Sequence, residues 1–158
     1  MPFEQALIVG TGVMGAGIAE AVALGGKRVL LLGRGAERLA AALESIRKSL
    51  DAAARRKLIS REQADAALAR ISGVLSPDAP PPGVSPPGAP SSGASPPGVS
   101  SSGAEETSAF PSASRELLTQ AGIVIEAVVE DAGVKGRVFG ELAPMLGEGA
   151  VLATNTSS

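Results

Sequence analysis

A glycine-rich turn at residues 10–15 (Gly-Thr-Gly-Val-Met-Gly) constrains the fold of this chain more than any other feature of its sequence. An apolar run at 6–9 comes before the turn. In the segment after it, the large apolar residues Met14, Ile18 and Val22 recur at helical spacing. The Gly-x-Gly-x-x-Gly pattern by itself carries little information, since glycine is common in loops. A strand, this turn and a helix in register are together typical of a unit that binds a dinucleotide.

Each glycine of the turn has a separate task in such a unit. Gly10 permits the tight turn, Gly12 lets the backbone approach a pyrophosphate, and Gly15 lets the helix pack closely on the strand. The helix N-terminus then presents free N–H groups and the positive end of its dipole to the phosphates. We therefore expect the cofactor to contact Gly10, Gly12, Val13, Met14 and Gly15.

Strands and helices alternate along the rest of the chain. Four further apolar runs have the character of buried parallel strands: 28–32, 71–75, 123–129 and 151–154. Helical spacing predicts helices at 36–56, 112–118 and 131–146. Ser60 and Gln63 form a capping box that opens another helix to about residue 70, so 36–70 is predicted to be a helical hairpin. The alternation indicates an α/β, Rossmann-type doubly wound fold with a mostly parallel sheet.

The segment 76–111 interrupts this pattern. It holds ten of the twelve prolines, and glycine recurs in it at every fifth residue. Collagen requires glycine at every third residue, so that fold is excluded. The segment has no apolar face to bury, which predicts a disordered or polyproline-like loop, with a docking peptide as the alternative. We expect one dinucleotide-binding domain over 1–158, interrupted by this low-complexity linker.

The composition excludes several chemistries. The 158 residues include no cysteine, which excludes disulfides and thiolate metal sites, and we expect no metal. The formal net charge of −2 gives no reason to expect a nucleic acid or a membrane as partner. Histidine is also absent, so no side chain has an unperturbed pKa near neutrality. The sequence shows neither a secretory signal nor a membrane-spanning apolar run, and a cytoplasmic protein is expected.

Three separated stretches resemble one family. They are 9–19, which contains the glycine turn, then 124–131 with Val134 and Lys135, and finally 153–158, which reads Ala-Thr-Asn-Thr-Ser-Ser. In this order they resemble the N-terminal domain of the NAD-dependent L-3-hydroxyacyl-CoA dehydrogenases, which include the 3-hydroxybutyryl-CoA dehydrogenases. The resemblance covers nearly the whole chain except 76–111. It implies the NAD-binding half of a fatty-acid β-oxidation oxidoreductase that converts L-3-hydroxyacyl-CoA to 3-ketoacyl-CoA.

The resemblance also assigns roles to residues near the carboxyl ends of the last two strands. Glu130 and Lys135 match positions near the nicotinamide-side ribose of the cofactor, and Val129 is assigned to the same site. Ser157 matches the serine that hydrogen-bonds the reacting oxygen of the substrate, beside the cofactor. Asn155 holds the turn next to Ser157.

A second group of matched positions implies a substrate site on the helical hairpin. Ser49, Arg56 and Lys57 stand where the family contacts coenzyme A. Cationic side chains suit a ligand that carries several phosphate charges. The same cations are equally compatible with a solvated helix C-terminus, where the helix dipole favours positive charge.

The end of the second strand departs from the family pattern. An acidic residue about 20 positions after the glycine turn normally bonds the ribose 2′-hydroxyl and selects NAD. Here that strand ends Leu32-Gly33-Arg34, with a glycine where the carboxylate would stand. Arg34 can instead pair with a 2′-phosphate. We therefore expect Gly33 and Arg34 to lie at the cofactor, with selectivity for NAD weakened in favour of NADP.

The catalytic half of the family pattern is also missing. The family's catalytic histidine, its partner glutamate and its helical C-terminal domain all follow the position of Ser158, and this chain contains no histidine. In the family the histidine takes the proton of the 3-hydroxyl while hydride passes to the nicotinamide. The expectation is that this chain lacks the catalytic and dimerisation domain, is inactive alone, and corresponds to part of a homodimeric enzyme acting on acyl-CoA.

Two other functions are compatible with these residues. One is a non-catalytic dinucleotide-binding module, or a fragment of a former enzyme, acting through its proline-rich segment. The other is a related hydroxyacid dehydrogenase that acts on 6-phosphogluconate or a sugar acid. The Asn-Thr-Ser-Ser ending and the basic end of the helical hairpin favour acyl-CoA over these alternatives.

Overall fold

A five-stranded parallel sheet forms the centre of the molecule. The computed structural model describes residues 3–76, 112–128, 136 and 139–155. The strands are β1 (Gln5–Val9), β2 (Arg28–Gly33), β3 (Ile71–Leu75), β4 (Ile123–Glu126) and β5 (Val151–Thr154). The helices are α1 (Val13–Leu24), α2 (Ala36–Arg55), α3 (Arg61–Ala69) and α4 (Ser112–Thr119), and a short 3-10 helix (Ala143–Met145) precedes β5. The strand order is β3-β2-β1-β4-β5, and every neighbouring pair is parallel, which confirms the predicted fold class.

The order of the strands creates a crevice at one edge of the sheet. From β1 the chain moves outward through β2 to β3, and β4 and β5 then form on the other side of β1. The direction of winding therefore reverses between β1 and β4. Open α/β sheets bind their ligands at such a reversal, outside the carboxyl ends of the strands. Val9, the last residue of β1, pairs with Leu32 on one side and Glu126 on the other, so it lies directly below this crevice.

Apolar side chains cover both faces of the sheet. Every residue of β1 is buried, as expected for a central parallel strand. Ala6 and Ile8 belong to a cluster with buried residues of α1, α2 and α3. Leu7 and Val9 belong to a second cluster, which includes Leu118 of α4. The two clusters hold β1 from both faces and so determine where the loops at its carboxyl end begin.

The helical hairpin has the ends that its local sequence predicts. Ser60 Oγ accepts the N–H of Gln63 at 3.0 Å, and Gln63 Oε1 accepts the N–H of Ser60 at 2.8 Å. This confirms the capping box at the start of α3. α2 buries one face through residues spaced three or four apart: Leu39, Ala42, Ile46 and Leu50. α2 packs against β2 and β3, and α3 packs against α1, α2 and β3.

Two predicted elements end earlier than their apolar patterns indicated. β4 ends at Glu126 and not at residue 129, because the Glu126 carboxylate accepts the N–H of Val128 and the chain leaves the sheet. The prediction of one helix over 131–146 was wrong at its end, where 139–142 is helical but a 3-10 helix follows. Pro144 lacks the N–H that a further α-helical turn requires. Residues 131–135 and 137–138 lie outside the described part.

The start of the predicted proline-rich linker also needed correction. Ser76 is buried, and its N–H donates to the Gly33 carbonyl oxygen at 2.8 Å, so it extends the edge of the sheet. Residues 77–111 lie outside the described residues, so the remainder of that prediction stays a prediction. None of the helices in the described ranges is long and apolar enough to cross a membrane.

Candidate dinucleotide-binding site

Gly10 joins the end of β1 to both neighbouring strands. Its N–H donates to the Leu32 carbonyl oxygen at 3.0 Å, and its φ of +121° lies in a region that side-chain-bearing residues rarely adopt. A β-carbon at this position would lie 2.7 Å from the carbonyl oxygen of Ala127. Glycine is therefore required here both by backbone conformation and by the close approach of the segment after β4.

Gly15 brings α1 against the turn that precedes it. A β-carbon at Gly15 would lie 2.0 Å from the carbonyl oxygen of Gly10, well inside van der Waals contact. The buried face of α1 accordingly consists of small residues: Gly15, Ala19 and Ala23. The larger Met14, which shares the helical spacing noted in the sequence, is 56% exposed. The close packing of helix and strand thus depends on the third glycine of the turn.

Gly12 leaves the N-terminus of α1 open. Apart from its neighbours along the chain, no heavy atom lies within 4 Å of a β-carbon built on Gly12, and this N-cap residue provides no side-chain hydrogen bond to the helix. The first α-helical bond runs from the N–H of Ala16 to the Gly12 carbonyl oxygen at 2.9 Å, so the N–H groups of the first turn point out of the helix. The first turn carries no acidic residue. These donors and the positive end of the helix dipole face the crevice, which is the arrangement that binds an anion.

The end of β2 lies directly beside the glycine turn. A β-carbon at Gly33 would lie 2.8 Å from Thr11 Cγ2 and 3.2 Å from Leu39 Cβ. Thr11 therefore occupies space that a side chain at position 33 would need. Arg34 is exposed and forms no ion pair with any residue in the described ranges. At the end of β2 the chain thus presents the guanidinium group of Arg34, and position 33 itself carries no carboxylate.

At the opposite end of the crevice, Glu126 connects the segment after β4 to the end of β5. Its side chain is fully buried; Oε1 accepts the N–H of Val128 at 2.6 Å and Oε2 accepts the hydroxyl of Thr154 at 2.6 Å. Its backbone carbonyl oxygen accepts the N–H of Asn155 at 2.8 Å. Sequence reasoning assigned no role to Glu126, Thr154 or Thr11. One signal was present: Glu126 is the single charged residue in a strand that otherwise reads Ile-Val-Ile.

The structure brings some predicted cofactor residues together and says nothing of others. Seven of them lie at the carboxyl ends of β1 and β2: Gly10, Gly12, Val13, Met14, Gly15, Gly33 and Arg34. Asn155 directly follows β5 at the same edge of the sheet. Val129, Glu130, Lys135 and Ser157 lie outside the described residues, so their assignments stay predictions.

The residues predicted to contact coenzyme A lie far along α2 from the crevice. Ser49 is exposed, and its hydroxyl donates to Glu20 Oε1 at 3.1 Å. Arg56 and Lys57 are exposed at the C-terminal end of the helix, where Lys57 has a left-handed φ of +59°. At 1.5 Å per residue, the 20 residues of α2 place these cations about 30 Å from the start of the helix. The structure does not bring them next to the glycine turn.

Along most of its length the chain is similar to one family of dehydrogenase domains. A model of the family described as "3-hydroxyacyl-CoA dehydrogenase, NAD binding domain" matches residues 5–79 and 104–158. The 3-hydroxyadipyl-CoA dehydrogenase of Escherichia coli K12 is 28% identical over 155 residues. Two solved structures share 27% sequence identity with the chain: FadB2 of Mycobacterium tuberculosis, with a TM-score of 0.72, and 3-hydroxybutyryl-CoA dehydrogenase of Escherichia coli, with 0.71.

These matches cover nearly all of this chain but only part of each relative. The sequence match spans 98% of this chain and 25% of the 3-hydroxyadipyl-CoA dehydrogenase. The structural matches cover 100% of this chain, 42% of FadB2 and 25% of the 3-hydroxybutyryl-CoA dehydrogenase. The chain therefore corresponds to one region of longer proteins.

Proposed function

The chain belongs to the family of 3-hydroxyacyl-CoA dehydrogenase NAD-binding domains, and we propose that it binds a nicotinamide dinucleotide as the cofactor half of such an enzyme. The observation that carries this proposal is the glycine turn at the winding reversal of the sheet. Gly15 lets α1 approach the turn, and Gly12 leaves the N–H groups of the helix open to solvent. A pyrophosphate fits this position because it brings the negative charge that the helix N-terminus favours.

The strand order also orients the proposed cofactor. In this fold the ribose of the adenosine half lies at the end of the second strand, which here is Gly33 and Arg34. With the pyrophosphate at Gly12, the nicotinamide half then extends toward the ends of β4 and β5. Asn155 lies at that side, and in sequence Val129, Glu130 and Ser157 follow the same two strands. We assign Glu130 and Lys135 to the nicotinamide-side ribose and Ser157 to the substrate oxygen, following the family resemblance.

The proposed reaction is oxidation of L-3-hydroxyacyl-CoA to 3-ketoacyl-CoA. A bound nicotinamide supplies the hydride acceptor, while the 3-hydroxyl must give its proton to a base. This chain contributes no histidine for that step. We therefore propose that the base comes from a part of the longer enzyme that this chain does not contain. We also propose that the whole enzyme is a homodimer and that each subunit includes that part.

We expect the purified chain to bind NADH without oxidising it in the presence of acetoacetyl-CoA, the ketone substrate of the reverse reaction. Without a general acid to protonate the forming alkoxide, the reverse reaction stalls. Loss of NADH absorbance measures turnover, and NADH fluorescence measures binding in the same sample. Turnover by the chain alone would contradict the assignment of the acid–base group to another region. Absence of NADH binding would contradict the proposed function itself.

We further propose that coenzyme A phosphates contact Arg56 and Lys57, with Ser49 on the same helix. Both cations are exposed and have no ion-pair partner in the described part of the chain. A ligand that reaches both these cations and the glycine turn must be long. A coenzyme A thioester has such an extended, phosphate-bearing chain.

The end of β2 leads us to propose that the site accepts NADP as well as NAD. A carboxylate at position 33 would accept a hydrogen bond from the 2′-hydroxyl and repel a 2′-phosphate, and Gly33 does neither. Arg34 is exposed beside it, forms no ion pair with any described residue, and can pair with the additional phosphate. The methyl group of Thr11 fills the space where the carboxylate side chain would begin.

Titration should give dissociation constants for NADH and NADPH within about tenfold of each other. At this site the two ligands differ by one charged hydrogen bond, between Arg34 and the 2′-phosphate, and such a bond contributes roughly that factor. The G33D substitution alone is expected to perturb the turn, because its β-carbon meets Thr11 Cγ2. The double variant T11A/G33D removes the Thr11 contact and requires only a small shift of Leu39, whose Cβ lies 3.2 Å from the added β-carbon. It should bind NADH at least tenfold more tightly than NADPH. T11A serves as the matched control and should retain the affinities of the unmodified chain. A strong preference of the unmodified chain for NADH would contradict the proposal.

A further inference from the structure

The pairing of β4 with β5 changes character at its carboxyl end. Three successive pairs are apolar, as Ile123, Val124 and Ile125 lie opposite Val151, Leu152 and Ala153. The last pair is polar, with Glu126 opposite Thr154. An apolar last pair would serve a sheet at least as well, since replacing buried charged groups by apolar ones is often neutral or stabilising. The polar pair stands at the edge of the sheet where this fold binds its ligand.

The carboxylate of Glu126 connects two chain segments that leave the sheet there. One oxygen accepts the N–H of Val128, after β4, and the other accepts the hydroxyl of Thr154, at the end of β5. The two donors lie 26 residues apart in sequence (154 − 128), and the side chain between them is fully buried. A buried carboxylate has few alternative conformations once both of its oxygens accept hydrogen bonds, because each lost bond leaves charge in an apolar environment.

We propose that Glu126, with Thr154, is a positioning residue for the nicotinamide half of the dinucleotide. The inference rests on the proposed function and adds two residues that no cofactor atom needs to contact. In sequence, Glu130 comes two residues after Val128 and Ser157 two residues after Asn155. The hydrogen bonds of Glu126 therefore restrain the points from which both of these proposed ligand-binding segments start. The adenosine half lies on the far side of Gly12, over β2, and so away from Thr154 and Asn155.

The test compares Thr154→Val with Thr154→Ser in the intact chain. Valine keeps the branched shape and removes the hydroxyl donor, whereas serine keeps the donor. The T154V variant is expected to bind NADH about tenfold more weakly, while its affinity for ADP stays within about twofold of the unmodified chain. T154S should bind both ligands as the unmodified chain does. The ratio of NADH to ADP affinity is informative because a general loss of structure would weaken both ligands together.

Glu126→Gln provides an independent variant. The amide has the same shape but presents an NH₂ group where one carboxylate oxygen accepted a hydrogen bond. The Thr154 hydroxyl can accept this NH₂ group while the amide oxygen keeps the N–H of Val128, so both contacts can persist without the charge. We therefore expect E126Q to lower NADH affinity less than T154V, with ADP affinity retained, and circular dichroism reports whether it folds. If E126Q does not fold, the comparison of T154V with T154S still decides the question.

The outcomes separate the positioning role from the proposed function. Equal NADH affinity of T154V, T154S and the unmodified chain would overturn the positioning role alone, as would a parallel loss of ADP and NADH affinity in T154V. Failure of the unmodified chain to bind either ligand would overturn the proposed function, and the positioning role with it.

Discussion

Replacing Gly15 with alanine is expected to destabilise the fold by about 3 kcal/mol and to abolish dinucleotide binding. The added β-carbon would stand 2.0 Å from the carbonyl oxygen of Gly10. Neither atom belongs to a flexible side chain, so α1 must move away from β1 as a unit. That movement disturbs the helix N-terminus and the packing of Ala19 and Ala23 together. The loss of stability is large because the added methyl group forces apart α1 and the turn after β1, which the core otherwise holds in contact.

Gly17 in the same helix is the matched control. It is exposed, and a β-carbon there meets no atom within 4 Å. G17A should therefore stabilise the fold by up to about 1 kcal/mol, the intrinsic preference of a helix for alanine over glycine. The chain has neither tryptophan nor tyrosine, so urea unfolding is best followed by circular dichroism at peptide wavelengths. Equal stability of G15A and G17A would contradict the close contact at Gly15.

Replacing Gly12 with aspartate should have the opposite combination of effects, with the fold intact and binding lost. Gly12 has φ −74° and ψ 179°, a conformation open to any residue type, and an added β-carbon there is unobstructed. An aspartate at the N-cap is favourable for the helix. The same carboxylate would occupy the place of the pyrophosphate and repel it. At about 4 kcal/mol for two unit charges 4 Å apart near a surface, the repulsion should weaken NADH binding by about 100-fold or more.

The G12N variant isolates the contribution of charge to this effect. Asparagine has the shape and volume of aspartate and also caps the helix, but it carries no charge, so its loss of affinity should be clearly smaller than that of G12D. Added salt should recover part of the binding of G12D, because ions screen exposed charges. NADH fluorescence measures affinity, and circular dichroism confirms the fold in both variants. Undiminished NADH binding by G12D would contradict a pyrophosphate at the N-terminus of α1.

Elements whose causes are local could be predicted closely from the sequence. The capping box of Ser60 and Gln63 spans three residues and defines the start of α3. The strand 71–75 was predicted with its observed bounds, and α2 within one residue of its end. Errors arose where an apolar pattern continues past the end of its element. β4 ends at Glu126, whose carboxylate accepts the N–H of Val128 and the hydroxyl of Thr154, and an apolar run does not reveal these hydrogen bonds.

The candidate site divides in the same way. The glycine turn was recognisable because its strand, its three glycines and its helix are consecutive in the chain. The three glycines allow the tight turn, the open helix N-terminus and the close packing of the helix on the strand. The obstruction of position 33 by Thr11 was not recognisable, because it depends on β1 and β2 lying side by side. Family resemblance supplied roles for Glu130, Lys135 and Ser157, which lie outside the described residues.

The sequence by itself determined the alternation of strands and helices, the glycine-rich turn between the first strand and the first helix, and the absence of histidine. Hydrophobic periodicity, glycine spacing and composition are properties of neighbouring residues and need no knowledge of the fold. Only the tertiary structure decided that Thr11 meets Gly33 and that Glu126 meets Thr154. These contacts depend on the order β3-β2-β1-β4-β5, which brings the ends of β1, β2, β4 and β5 to one edge of the sheet. The side chains that line the crevice therefore belong to segments that are far apart in the sequence.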